Sequence, residues 1–94
     1  MNLILPEEDL VIAIINRTKN GAEALYDKYS LPLYKVILSK VHEQKLAEDI
    51  LQNCLYKIWN SIDDFHPKDN RFPVWIMGIA RNLSKQAVVK VMVG

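Results

Sequence analysis

Ninety-four residues, 50% hydrophobic and 24% charged, make one globular domain with no room for a second core, and exclude a disordered tail. The single cysteine, Cys54, excludes an internal disulfide framework, and the longest apolar run, Leu10 to Ile15, falls far short of the ~20 residues that cross a bilayer. The net charge of +1 hides an asymmetry: residues 1–65 carry seven Lys/Arg against ten Asp/Glu and residues 66–94 five against one, which fits either an anionic partner at the basic end or scattered surface cations.

The opening Met1-Asn2-Leu3-Ile4-Leu5-Pro6 runs straight into Glu7-Glu8-Asp9. It has neither a basic start nor a small-residue cleavage site, so a cytoplasmic protein without a secretory leader is expected. A first helix is predicted over about residues 7–17, with Leu10, Val11, Ile14 and Ile15 on one stripe and Lys19-Asn20-Gly21 as its stop. A second runs from near Ala22 towards Val41, with Leu25, Tyr29, Leu33, Ile37 and Val41 at every fourth place. Pro32 interrupts it, so a break or kink is expected near Ser30-Leu31, with Ser30 as a cap. A third helix, about residues 45–61, has the clearest stripe, from Leu46 through Ile50, Cys54 and Ile58 to Ile62. A polar loop over residues 63–71 follows. A fourth helix starts near Phe72, carries Pro73 in its first turn and passes Gln86, with Trp75, Ile76, Ile79, Ala80, Leu83 and Ala87 as its stripe. The expected fold is all-α, a compact bundle of about four helices in one domain spanning residues 1–94. The apolar end Val88-Val89-Lys90-Val91-Met92-Val93-Gly94 is expected to fray or to self-associate.

Enzymatic constellations are missing: no P-loop, no dinucleotide-binding glycines, no nucleophile elbow. His42, Cys54 and His66 lack metal-ligand spacing, so neither a metal nor another cofactor is expected. Cys54 sits on the apolar stripe as a buried thiol. Glu48 and Asp49 are adjacent on a helix and diverge by about 100°, so they do not form a catalytic pair. Two segments carry chemistry. The polar face of the third helix offers Glu48, Asp49, Gln52, Asn53 and Tyr56, a mixture suited to hydrogen-bonding a partner as well as to plain solvation. The loop and fourth helix offer His66, Lys68, Asp69, Asn70 and Arg71, then Phe72 and Trp75, then Arg81 and Lys85. Cations with aromatics suit single-stranded nucleic acid, while Trp75 on the same stripe as Ile79 reads as a core anchor.

Three stretches in order are similar to a known family. Ala47-Glu48-Asp49-Ile50-Leu51-Gln52-Asn53-Cys54-Leu55-Tyr56-Lys57-Ile58-Trp59, Phe72-Pro73-Val74-Trp75-Ile76-Met77-Gly78-Ile79-Ala80-Arg81-Asn82 and Gly21-Ala22-Glu23-Ala24-Leu25-Tyr26-Asp27-Lys28-Tyr29 resemble signatures of bacterial sigma factors of the extracytoplasmic-function group. They cover about residues 7–86, the family's second conserved region. The resemblance implies that the exposed "AED" helix docks on the coiled-coil clamp of the RNA polymerase beta-prime subunit through Glu48, Asp49, Gln52, Asn53 and Tyr56. It implies that the loop holds an unpaired base of the non-template "minus ten" strand through His66, Lys68, Asp69, Asn70 and Arg71. Arg81, Asn82 and Lys85 become strand or phosphate contacts. This is binding without bond chemistry, in which capture of a flipped base offsets unstacking. Asn53, Arg71 and Pro73 depart from the family's usual residues. The resemblance also implies an anti-sigma factor as a candidate partner, and a domain without the family's helix-turn-helix. The alternatives are a helical interaction module that never touches DNA and a regulator using its last helix in a major groove, for which the Phe72-Pro73-Val74-Trp75-Ile76 start is poor.

Overall fold

The computed structural model describes residues 6–93, with side chains as far as Lys90. Four helices form, α1 (Glu7–Ile15), α2 (Lys19–Val41), α3 (Gln44–Asn60) and α4 (Phe72–Val93), with a 3-10 turn over Ile62–Asp64. No strand occurs among the described residues, in keeping with the all-α expectation.

α1 opens on three acids, Glu7, Glu8 and Asp9, which favour the positive end of the helix dipole. It ends two residues before the expected place. Arg17 adopts a left-handed backbone, φ 56°, and its guanidinium donates to the carbonyls of Ile14 (3.0 Å) and Ile15 (3.2 Å). The cation thus serves the orphan carbonyls from outside the helix.

Lys19-Asn20-Gly21, expected as a stop, is instead the first turn of α2. Thr18 is the N-cap: its Oγ1 accepts from the Gly21 N–H at 2.9 Å and donates to the Ala13 carbonyl at 3.0 Å. One hydroxyl therefore both starts α2 and ties it to α1. A Cβ at Gly21 would stand 2.7 Å from the carbonyl carbon and oxygen of Ala13. Only glycine lets the two helices approach so closely here.

The expected break at Pro32 does not occur, and α2 continues through it with Ser30 inside the helix rather than capping one. Loss of a hydrogen bond and the ring clash cost about 3 kcal/mol. Tyr29, Leu33 and Ile37, spaced across the proline, are all buried, each gaining about 1.5–3 kcal/mol from water exclusion. Packing therefore outweighs the local preference. Lys28, whose carbonyl loses its partner, is exposed and open to water.

α3 is capped by Glu43, whose carboxylate accepts from the Leu46 N–H at 2.6 Å. Its stripe of Ala47, Ile50, Cys54 and Ile58 is buried. α2 is the central helix, packed against α1, α3 and α4, and α3 also meets α4. The molecule measures 41 × 31 × 18 Å, and its thinnest dimension is about two helix diameters, hence two layers. Between the layers lie Leu33, Ile37, Cys54, Ile58, Phe72 and Ile76. Ser84, the one buried polar residue among those described, donates to the Ala80 carbonyl at 2.8 Å, which satisfies its hydroxyl. α4 stays helical to Val93. The expected frayed or associating tail falls mostly on residues 91–94, whose side chains lie outside the described residues. No described helix is long and apolar enough to cross a membrane.

Candidate functional site

Two surfaces collect the residues singled out by sequence. The first is the outer face of α3. Because the stripe of Ala47, Ile50, Cys54 and Ile58 turns inward, helical periodicity forces Glu48, Asp49, Gln52, Asn53 and Tyr56 outward, and all five are exposed. Glu48 accepts a long hydrogen bond from Gln44 at 3.4 Å. The other four make no side-chain hydrogen bond among the described residues. Gln52 and Tyr56 also line a shallow depression of about 250 Å³ with Leu55 and Trp59 of α3 and Ala22, Leu25 and Tyr26 of α2. Tyr26 and Tyr56 stand 57% and 71% exposed, so two aromatic faces flank an apolar floor. Tyr26 was not among the residues singled out. Its place beside α3 depends on the antiparallel approach of α2, which no local pattern reports. The Arg17 guanidinium lies 5.9 Å from the Trp59 ring and 3.7 Å from the Asp63 carboxylate.

The second surface is the segment between α3 and α4. It is framed by two buried phenylalanines. Phe65 meets Phe72 edge-on at 5.5 Å and leans on Trp75 at 5.3 Å, and Phe72 meets Tyr29 edge-on at 5.6 Å. Such edge contacts add about 0.5–1.5 kcal/mol each beyond burial. Residues 66–71 form a short excursion held at both ends. Within it the His66 carbonyl accepts from the N–H groups of Asp69 (3.0 Å) and Asn70 (3.3 Å), and Asn70 Oδ1 accepts from the Arg71 N–H at 2.9 Å. His66, Lys68, Asp69, Asn70 and Arg71 are all exposed. Phe72 is fully buried and Trp75 half-buried. These aromatics serve as core anchors, and Phe72 has no face to offer a base.

Sequence did not place α1 here. Glu7 Oε1 lies 3.8 Å from the Arg71 guanidinium, and burial, then Glu7, push the Tyr29 hydroxyl above its ordinary pKa while Arg71 opposes them. Between α1 and the loop runs a groove of about 450 Å³. Its walls are Val11, Ile12, Ile15, Phe65 and Pro67, and Glu7, Glu8, Asn70 and Arg71 form its rim. Arg81, Asn82 and Lys85 are exposed on the outer face of α4. At 1.5 Å per residue, they lie about 14–20 Å along the helix from its start. They are thus set apart from the loop along α4 rather than gathered into it.

Cys54 is fully buried, and burial pushes its thiol up to about 12. No group of side chains suited to a metal occurs among the described residues.

The family model described as Sigma-70 region 2 matches residues 25–91, well over half of the chain. The chain belongs to the sigma-70 region 2 family. Region 2 domains are transcription factor domains rather than an enzyme family, with a role in RNA polymerase binding and promoter melting. No curated protein and no solved structure matches the chain. The match spans α2 from Leu25 onward, α3, the loop and nearly all of α4 of this sigma domain. It leaves α1, which builds one wall of the groove, outside.

Proposed function

We propose that this sigma region 2 domain binds core RNA polymerase through the outer face of α3 and holds the melted minus-ten element with the loop and α4. In this reading Glu48, Asp49, Gln52, Asn53 and Tyr56 meet the beta-prime clamp coiled coil. His66, Lys68, Asp69, Asn70 and Arg71 meet the non-template strand, and Arg81, Asn82 and Lys85 its backbone. The domain belongs, on this proposal, to the extracytoplasmic-function group and works in the cytoplasm. It lowers the free energy of the open promoter by binding strand that the duplex does not expose, and the polymerase carries out the chemistry.

One observation carries the reading. Asp49, Gln52, Asn53 and Tyr56 stand in solvent with no side-chain hydrogen bond inside the molecule, while the loop surface is separate from them. Two partners can therefore be engaged at once. The test is fluorescence anisotropy with a labelled non-template minus-ten oligonucleotide and its scrambled counterpart over a salt series, together with co-purification of core polymerase. Preference for the minus-ten sequence, affinity falling with salt, and loss of polymerase by Asp49→Lys with oligonucleotide binding intact are expected. Equal affinity for both oligonucleotides, or polymerase capture indifferent to Asp49→Lys, refutes it.

A further inference from the structure

The acids of α1 are not equivalent. Glu7, Glu8 and Asp9 crowd its first turn, and the positive end of the helix dipole accounts for all three together. It does not account for Glu7 alone meeting another element. α1 is fastened to the bundle by Leu10, Val11 and Ile14, all buried, and this anchoring fixes where Glu7 stands. From there its Oε1 reaches to 3.8 Å from Arg71 Nη2 at the end of the loop. Neither Glu8 nor Asp9 has an ion-pair partner among the described residues.

Arg71 is placed to change partners. Its backbone is held on both sides: the N–H donates to Asn70 Oδ1 at 2.9 Å, and the carbonyl accepts from the Trp75 N–H at 3.0 Å. Its side chain is 79% exposed, against 33% for Glu7, so the guanidinium can swing on a fixed stem. An ion pair this long and this wet adds little to the fold. A phosphate can take the same guanidinium through two parallel hydrogen bonds. Tyr29, buried beneath, feels both charges: Glu7 raises its pKa and Arg71 lowers it, so the two act within one small volume.

We propose that Glu7 is an internal rival of the strand: its carboxylate occupies the Arg71 guanidinium in the free domain, and a phosphate must displace it. This rests on the proposed contact between Arg71 and a strand. It adds a restraint supplied by α1, which lies outside the matched residues 25–91. The restraint acts through charge and carries no sequence information, so it weakens every strand alike.

The full chain is titrated by anisotropy with labelled oligothymidylate and with the minus-ten oligonucleotide over a salt series, and each variant is melted alongside. Glu7→Gln is expected to tighten binding of both about two- to fivefold at low salt, the size of an exposed ion pair. The gain should shrink as salt screens the pair. Asp9→Asn removes the same charge from the same turn and is expected to gain distinctly less. In an Arg71→Ala background the extra gain from Glu7→Gln is expected to vanish, because a double-mutant cycle isolates the pair. The melting midpoint of Glu7→Gln should hold or fall slightly, so tighter binding does not come from a firmer fold. If Glu7→Gln gains no more than Asp9→Asn, or its gain survives Arg71→Ala, the inference is wrong. It is equally wrong if Arg71→Ala leaves strand affinity unchanged, an outcome that leaves a minus-ten preference and the rest of the promoter reading in place. Binding without minus-ten preference, but with the coupling of Glu7 to Arg71, overturns the promoter reading and leaves the restraint standing. No strand binding by either the wild-type chain or Glu7→Gln overturns both.

Discussion

Replacing Gly21 by alanine tests how α1 is joined to the bundle. The new Cβ would lie 2.7 Å from both the carbonyl carbon and oxygen of Ala13 and 3.0 Å from the Ile14 nitrogen. All three are backbone atoms of α1, so no side chain can rotate away. Alanine contributes about 1 kcal/mol of helix propensity at that position, while forcing extra volume into a packed contact costs about 1–3 kcal/mol. Relief requires α1 to move off α2, which also strains the Thr18 hydroxyl linking Gly21 N–H to the Ala13 carbonyl. That balance of about 0–2 kcal/mol, with about 1 kcal/mol more for the weakened hydrogen bond, gives a net loss of about 1–3 kcal/mol, or a midpoint lower by roughly 4–24 °C in a domain of this size. Differential scanning calorimetry measures it directly. Hydrogen exchange should show α1 amides opening more than those of α3, since α1 is the element displaced. An unchanged or higher midpoint for Gly21→Ala would mean that the α1–α2 approach is looser than described, and the groove wall built by α1 with it.

Further outcomes follow from the same geometry. Phe65→Ala removes a buried ring that touches Phe72 and Trp75; a loss of about 3–5 kcal/mol is expected in chemical denaturation, with faster exchange in residues 66–71. Cys54, with its thiol raised from 9.0 to about 12 in the fold, contributes stability that is fully present below about pH 9 and lost as pH climbs through about 12. Denaturation midpoints should fall over that alkaline window, and Cys54 should resist thiol reagents at neutral pH until the chain unfolds. Lys68→Ala should weaken single-strand binding uniformly across sequences and reduce the salt slope by about 0.7, whereas an unchanged slope removes Lys68 from the contact set. Pro32→Ala restores one backbone donor in the continuous helix α2 and should raise the midpoint, because the proline there is tolerated rather than used.

Most of the candidate surfaces was legible before any tertiary contact was known. A 3.6-residue period assigns each position of α3 to one side, so the burial of Ala47, Ile50, Cys54 and Ile58 and the exposure of Glu48, Asp49, Gln52, Asn53 and Tyr56 are two consequences of one pattern. The loop was legible for a similar local reason, since Pro67, Asp69 and Asn70 favour turns. Local reasoning failed where two preferences competed. Lys19-Asn20-Gly21 has the composition of a stop, yet Thr18 just before it captures the Gly21 N–H and starts a helix. Pro32 has the local effect of a breaker, yet Tyr29, Leu33 and Ile37 bury across it.

What the chain decided alone is therefore periodic and near-neighbour: four helices, which face of each is apolar, and where polar residues interrupt them. What only tertiary structure decided is distant in sequence. Glu7 comes beside Arg71, Tyr26 comes beside Tyr56 across a shared depression, and of two helical glycines one is wedged against a backbone while the other faces open space. Side-chain direction along a helix follows from bond geometry within a few residues. The approach of two helices depends on how all the apolar stripes together exclude water, which no short stretch contains.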